Sequence, residues 1–203
     1  MERTISYRTI RDRVENAEPN TIFVTSDFMD LASTYAANGA LRRMVRDGTI
    51  DQVMRGVYSK PKYNELLKRK IPPSPDNIAK AIARNYGWTI IPSGNTALNM
   101  FGLSTQVPAR WEYVSDGPYK EYDIDDKLSI HFKHTANKEI TRISYDSALL
   151  IQALKAIGKS NISSKDIKRL SSGIPEEKRE QILKETQYTT SWIYEVIRGI
   201  CNE

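Results

Sequence analysis

Residues 26–61, which read SDFMDLASTYAANGALRRMVRDGTIDQVMRGVYSKP, dominate the prediction of this fold. Ser26 and Asp27 are typical of a helix start, because their side-chain oxygens accept hydrogen bonds from unpaired first-turn N–H groups. A tight turn and a second helix are predicted next, since apolar residues recur at helical spacing. The apolar positions of the two helices are Phe28, Leu31 and Ala32, then Ala36, Ala37, Ala40, Leu41, Met44 and Val45.

A β-hairpin is predicted after the second helix. Gly48 ends the helix, and two β-prone runs, residues 50–54 and 57–59, flank a two-residue turn. Upstream, residues 4–16 predict a first helix and residues 21–24 a short strand. The order helix, strand, helix, helix, strand, strand is the outline of a winged helix-turn-helix, and helix-turn-helix motifs place a helix in the major groove of DNA.

The distribution of charge favours a nucleic-acid partner. The chain has a net charge of +5, and residues 39–70 hold nine Lys and Arg against three Asp and Glu. Phosphate binding rewards such clustering, because each neutralised phosphate releases condensed counterions. A solvated basic face that binds nothing is the alternative interpretation of a charge run alone. The helix-turn-helix outline makes DNA the preferred interpretation here.

The predicted second helix and the hairpin supply the candidate DNA contacts. A recognition helix reads base edges with its first turns, where hydroxyl, amide and guanidinium groups match the donors and acceptors of the major groove. The predicted base contacts are Thr34, Tyr35, Asn38 and Arg42. The predicted phosphate contacts are Arg43, Arg46, Arg55 and Lys60. A winged helix that serves only as a scaffold for protein contact is the alternative.

Residues 62–75 predict a boundary between two domains. The segment begins as a charged helical turn and ends in three prolines, which block a helix and favour a stiff extended linker. We therefore predict a winged helix-turn-helix over residues 1–71 and a mixed domain over residues 72–203, with a small β-sheet and several helices. The predicted fold class is α+β.

The predicted elements of the second domain follow from apolar runs and helix caps. Helices are predicted at residues 75–86, 93–101, 145–157, 163–170, 175–185 and 190–201, and strands at 88–92, 111–115 and 127–133.

The sequence contains no evident catalytic or metal-binding constellation. His131 and His134 are three residues apart on a predicted strand and so fall on opposite faces. The acidic segment 121–126 lacks the glycine and terminal Glu of a calcium loop and is interpreted as a solvated turn, with contact to a basic partner as the alternative. Residues 93–96 lack a phosphate-loop lysine and are interpreted as a helix cap. Because Cys201 is the single cysteine, a disulfide framework within the chain and a cysteine-based zinc site are not expected.

These observations predict that the protein is not an enzyme and uses no cofactor or metal. The longest apolar runs are far too short to span a bilayer, and no signal-peptide pattern opens the chain. We therefore expect a cytoplasmic protein without a membrane partner.

Two runs of sequence carry a family resemblance. The first is LRRMVRDGTIDQVMRGVYSKP at residues 41–61, preceded by Asp27 and Phe28. The second is IPSGNTALNMFGLSTQVPARWEYVSDGP at residues 91–118. Together they resemble the AbiEi-type antitoxins of bacterial type IV toxin–antitoxin systems. The resemblance implies an N-terminal winged helix that represses its own operon and a C-terminal domain that opposes a nucleotidyltransferase-type toxin.

The sequence thus predicts a DNA-binding transcriptional regulator, the autoregulating antitoxin of a two-gene operon. Its predicted partners are double-stranded DNA of its own promoter, bound at an inverted repeat, and a nucleotidyltransferase toxin. Paired half-sites are expected because helix-turn-helix proteins often bind them. The alternative is a protein-interaction module that uses the winged helix as a scaffold, without sequence-specific DNA binding.

Overall fold

The protein folds into two compact units, Met1–Trp88 and Thr89–Glu203. Its computed structural model describes residues 2–136 and 140–202, with side chains described from residue 7 onward. Helices and small sheets occur in both units, which confirms the predicted α+β class. Among the helices of the described residues, none is both long enough and apolar enough to cross a bilayer.

The first unit combines three helices with a three-stranded sheet and a separate hairpin. Its elements are α1 (Glu2–Glu15), β1 (Ile22–Val24), a 3-10 turn (Thr25–Phe28), α2 (Thr34–Arg46), β2 (Asp51–Met54), β3 (Val57–Ser59), β4 (Lys62–Asn64), β5 (Arg69–Ile71) and α3 (Pro75–Tyr86). The three-stranded sheet is antiparallel with the order β1-β3-β2, and β4 and β5 form a separate two-stranded pair. The core of this unit consists of Ile10, Val14, Phe23, Phe28, Ala37, Ala40, Leu41, Met44, Ile50 and Tyr58.

The predicted helix at the start of the 26–61 stretch is wrong, because only a single 3-10 turn forms there. The Asp27 carboxylate accepts a hydrogen bond from Val24 N–H at 2.9 Å, behind the turn. Asp30 binds the Arg13 guanidinium of α1 through two hydrogen bonds, the shorter 2.6 Å long. These contacts hold the backbone in a compact turn that leads directly into α2.

The charged helical turn predicted after residue 61 is also wrong. Residues 62–71 form the β4–β5 hairpin, with the pair Lys62–Ile71 at its open end and the pair Asn64–Arg69 next to the turn. Asn64 Oδ1 accepts from Leu67 N–H at 2.9 Å, as short polar side chains do in turns. Lys68 adopts a positive φ of 47°, which reverses the chain.

The division between the units falls at residues 88 and 89, later than the predicted boundary after residue 71. The prolines do precede a helix, but α3 packs on β1 and on the 3-10 turn of the first unit. Arg84 of α3 anchors this packing, since its Nε donates to Asp27 at 2.7 Å and its Nη2 to the Ile22 carbonyl at 3.1 Å. The three prolines of residues 72–75 therefore lead into α3, which belongs to the first unit, and do not mark the end of that unit.

In its described residues, the second unit combines a four-stranded sheet with five α-helices. Its elements are β6 (Ile90–Pro92), α4 (Gly94–Met100), β7 (Arg110–Ser115), β8 (Lys120–Asp125), β9 (Leu128–His134), α5 (Tyr145–Ile157), α6 (Ser164–Ser172), α7 (Glu176–Thr186) and α8 (Ser191–Asn202). The strand order is β6-β7-β9-β8, with β7 and β9 parallel and the other pairs antiparallel. Helices α4 and α5 pack on this sheet. The eight residues Ser147–Leu154 of α5 are all buried, which makes α5 the centre of the second core.

Strand β8 corrects the interpretation of residues 121–126 as a solvated turn. The acidic side chains alternate with apolar ones, as a strand with one exposed face requires. Glu121, Asp123 and Asp125 are exposed, whereas Tyr122 and Ile124 are partly buried. The alternation of acidic and apolar residues was present in the sequence, but the number of carboxylates favoured the interpretation as a turn.

Candidate nucleic-acid interface

The exposed face of α2 is set by how the helix is capped and buried. Ser33 begins the helix, because its side-chain oxygen accepts from Ala36 N–H at 3.3 Å. The buried face is formed by Ala37, Ala40, Leu41 and Met44. The opposite face therefore presents the polar and cationic residues of the helix to solvent.

Three of the predicted base contacts lie on one groove of this face. Tyr35, Asn38 and Arg42 line a shallow groove together with Tyr7 of α1. The Tyr35 side chain is 83% exposed, and Arg42 is also exposed. Residues spaced by three, four and seven positions share one side of a helix, so this grouping follows from the period of α2.

Two predicted base contacts also have partners within the protein. The Asn38 amide oxygen accepts a hydrogen bond from Thr25 Oγ1 at 2.7 Å, so the amide nitrogen is the group left to contact a ligand. Thr34 is exposed, and its hydroxyl lies 3.6 Å from the Met29 sulfur. A sulfur is a weak acceptor, so this contact leaves the Thr34 hydroxyl available.

Arg43 is held against α1, whereas Arg46 lies exposed on the last turn of α2. The Arg43 guanidinium stacks over the Tyr7 ring with 4.3 Å between its Cζ and the ring centroid. It also lies 3.8 Å from the Asp47 carboxylate. The Tyr7 ring thus holds the Arg43 guanidinium in a defined position through a cation–π contact. Tyr7 was not among the residues predicted from the sequence. Tyr7 could have been found only from the contact between α1 and α2.

The β2–β3 hairpin carries Arg55 at its tip, as predicted from the sequence. Arg55 is exposed, and Gly56 beside it adopts φ of 82°, a conformation that other residues rarely adopt. Lys60 differs, because its ammonium donates to the carbonyls of Glu15 at 2.5 Å and Ala17 at 2.6 Å. Lys60 therefore neutralises the C-terminal end of α1, where a cation is favoured by the helix dipole.

The remaining candidate residues lie in the second unit and do not converge on one site. His131 is buried, with Nε2 2.9 Å from Ser129 Oγ and 3.2 Å from a Glu121 oxygen. His134 Nδ1 lies 2.9 Å from the Gly117 carbonyl. Throughout the described part of the chain, no three His, Cys, Asp or Glu side chains form a group that could hold a metal ion.

The segment 93–96 begins α4, as the interpretation as a helix cap predicts. The expected capping hydrogen bond does not form, however. The Ser93 side chain makes no capping hydrogen bond. Thr96 Oγ1 instead accepts from Glu112 N–H of β7 at 2.8 Å, which ties α4 to the sheet. This segment therefore has a structural role.

Comparison with known proteins gave one family and one solved structure of note. Comparison with the curated proteins found no match. The crystal structure of the RV2827C protein from Mycobacterium tuberculosis is similar at 13% identity, with a TM-score of 0.43, over 98% of this chain and 76% of that one. A family profile described as a family of unknown function, DUF6088, matches residues 9–182. The chain therefore belongs to the DUF6088 family.

Proposed function

We propose that this protein is a DNA-binding transcriptional regulator whose first unit acts as a winged helix-turn-helix. The observation that carries the proposal is the outward face of α2, where Tyr35 and Arg42 are exposed and the Asn38 amide nitrogen takes no part in the hydrogen bond with Thr25. Such a face, rich in donors and positive charge, suits base edges and phosphates in the major groove.

The β2–β3 hairpin would act as the wing. Its tip residue Arg55 is exposed on a two-residue turn, where a guanidinium could reach phosphates or the narrow minor groove. Arg43 and Arg46 would contact phosphates beside the recognition helix. Lys60 is not among these contacts, because its ammonium already binds two backbone carbonyls.

The regulatory role is proposed from the resemblance of residues 1–135 to AbiEi-type antitoxins. On this proposal the protein acts in the cytoplasm, represses its own promoter at an inverted repeat, and opposes a nucleotidyltransferase toxin. The second unit would then carry the antitoxin activity. A nucleotidyltransferase gene beside the gene for this protein would support the pairing.

Arg42→Ala provides the test of DNA binding. Titration of the wild-type protein into a fluorescent duplex from its own upstream region should give binding that weakens with salt. Arg42→Ala should weaken that binding by at least about 1 kcal/mol, or roughly fivefold, if Arg42 contacts a base. Arg198→Ala is the matched control, since Arg198 is an exposed arginine on α8 of the second unit.

The result decides between DNA recognition and the alternative of a protein-interaction module. Loss of affinity in Arg42→Ala with unchanged Arg198→Ala supports recognition by α2. Wild-type protein that binds the upstream duplex no better than a random duplex would overturn the proposal. Capture of the product of the neighbouring gene without DNA would then favour the interaction module.

A further inference from the structure

The tip of the β4–β5 hairpin exposes apolar side chains. Leu66 is 92% exposed and Leu67 is 55% exposed. Exposed single leucines are common on proteins, but two consecutive leucines at the end of a narrow ribbon are a concentrated apolar surface. The turn is ordered by its own hydrogen bond from Leu67 N–H to Asn64 Oδ1, so Leu66 is presented on a defined loop.

Positive charge surrounds this apolar tip. Residues 62–71 contain four Lys and Arg against a single acidic residue, Glu65. Lys70 is neutralised by Asp51 at 2.6 Å. In the part of the chain that the structure describes, Lys62, Lys68 and Arg69 are exposed and form no ion pair. The unpaired cations on the hairpin are complementary to the phosphates of a nucleic acid. The apolar tip is complementary to the faces of its stacked bases.

The hairpin is also attached to the predicted wing. The Lys70–Asp51 ion pair joins β5 to β2, the first strand of the β2–β3 hairpin, through hydrogen bonds of 2.6 and 2.8 Å. The two hairpins therefore lie next to each other at Asp51 and Lys70, and both carry exposed cations. Two neighbouring basic hairpins on the unit of the proposed recognition helix favour DNA over a membrane surface as the occupant.

We propose that the β4–β5 hairpin inserts Leu66 between neighbouring base pairs of bound DNA from the minor groove. This inference rests on the proposed DNA-binding function and extends it to a second contact. Proteins that bend DNA insert leucine and similar apolar side chains as wedges, which partly unstack a base step and kink the duplex. Lys68 and Arg69 follow the wedge in the chain, where they can neutralise the phosphates that a bend brings together.

The wedge makes a specific prediction about the bound DNA. The duplex should be kinked by an angle in the range of about 20–90°. Flexible pyrimidine–purine steps, such as TA and CA, should be preferred at the kink because they unstack at low energetic cost. Shape rather than base hydrogen bonding would then select this part of the site.

Leu66→Ala tests the wedge with little risk to the fold, since the side chain is almost fully exposed. The probes are upstream duplexes that carry a fluorophore pair at their ends, to report bending. A second series carries 2-aminopurine at successive TA or CA steps, to report unstacking. Val107→Ala is the matched control, because Val107 is 75% exposed in the second unit.

At saturating protein, the wild type and Val107→Ala should shorten the end-to-end distance and brighten 2-aminopurine at one step. Leu66→Ala should lose at least half of both signals while still binding the duplex. Leu66→Met should retain them, since methionine can also act as a wedge. Protein that binds but bends equally well without Leu66 overturns the wedge and leaves DNA binding intact.

Two further outcomes would overturn the inference by different routes. Absence of any wild-type binding to the upstream duplex removes the proposed function and the wedge together. Sedimentation with phosphatidylglycerol vesicles that depends on Leu66, together with DNA bending that does not, assigns the tip to a membrane surface. Circular dichroism spectra of the variants should match the wild type, because the replaced side chains are exposed.

Discussion

Replacing Glu185 by glutamine should destabilise the second unit at neutral pH. Glu185 lies on α7, and its carboxylate binds the first turn of α5. One oxygen accepts from Ser144 N–H at 2.9 Å and from the hydroxyls of Ser144 and Ser147 at 2.6 Å each. The other accepts from Gln181 Nε2 at 2.7 Å. The negative charge also sits at the positive end of the α5 dipole.

The magnitude follows from the pKa of this carboxyl. Partial burial raises the pKa of Glu185, but hydrogen bonds from the side chains of Ser144, Ser147 and Gln181 and from the Ser144 N–H outweigh it. The pKa falls from 4.5 to about 2. At about 1.4 kcal/mol per pH unit, this difference corresponds to a ceiling of about 3 kcal/mol. Solvent screens a half-buried site, so we expect a loss of about 1–2 kcal/mol.

The sign of the pH dependence follows from the lowered pKa. The folded state binds the proton more weakly than the unfolded state, so the stabilisation is complete above the unfolded pKa of 4.5. It is lost as pH falls from there towards 2, and less than half should remain by pH 3. Glutamine carries no charge at either pH, so the difference between wild type and Glu185→Gln should shrink on acidification.

Urea unfolding followed by tryptophan fluorescence measures this difference at pH 7 and pH 3. Trp111 and Trp192 report on the unit that contains Glu185. Glu180→Gln is the matched control on the same helix, because Glu180 is exposed and its replacement should change the midpoint little. An unchanged midpoint for Glu185→Gln at pH 7, or a difference that persists in full at pH 3, would refute the reasoning.

Two further predictions concern the first unit. Phe28→Ala should lower the free energy of unfolding by about 3–5 kcal/mol in urea denaturation, because Phe28 is fully buried and packs 5.8 Å from the Phe23 ring. Tyr35→Ala, which removes an exposed aromatic ring, should cost less than about 0.5 kcal/mol, and equal losses would contradict the assigned core. Arg55→Ala should reduce the slope of log affinity for DNA against log salt by about 1. An unchanged slope would exclude Arg55 from the phosphate contacts.

Local sequence patterns predicted most of the helices and their caps. The apolar spacing of α2 placed Ala37, Leu41 and Met44 in the core, and it left Tyr35 and Arg42 exposed. Gly56 predicted the turn of the β2–β3 hairpin, because a positive φ suits glycine. These features depend on residues within a few positions of each other, so the sequence contains the necessary information.

Features that depend on charge were predicted less well. The charged residues of 62–71 indicated a helical turn, although the segment pairs as a hairpin. The carboxylates on β8 indicated a loop, although Tyr122 and Ile124 alternate with them as a strand requires. Charged side chains are compatible with any exposed element, so their number says little about backbone conformation.

The sequence by itself determined the α+β class, the two faces of α2 and the concentration of positive charge between residues 39 and 70. Tertiary structure decided which of those charges are available. The Lys60 ammonium is bound at the end of α1, whereas Arg43 is held over the Tyr7 ring with its side chain still exposed. The leucines of the β4–β5 hairpin are also left exposed. Such contacts join residues that are far apart in the chain, and their geometry exists only once the helices and strands have packed.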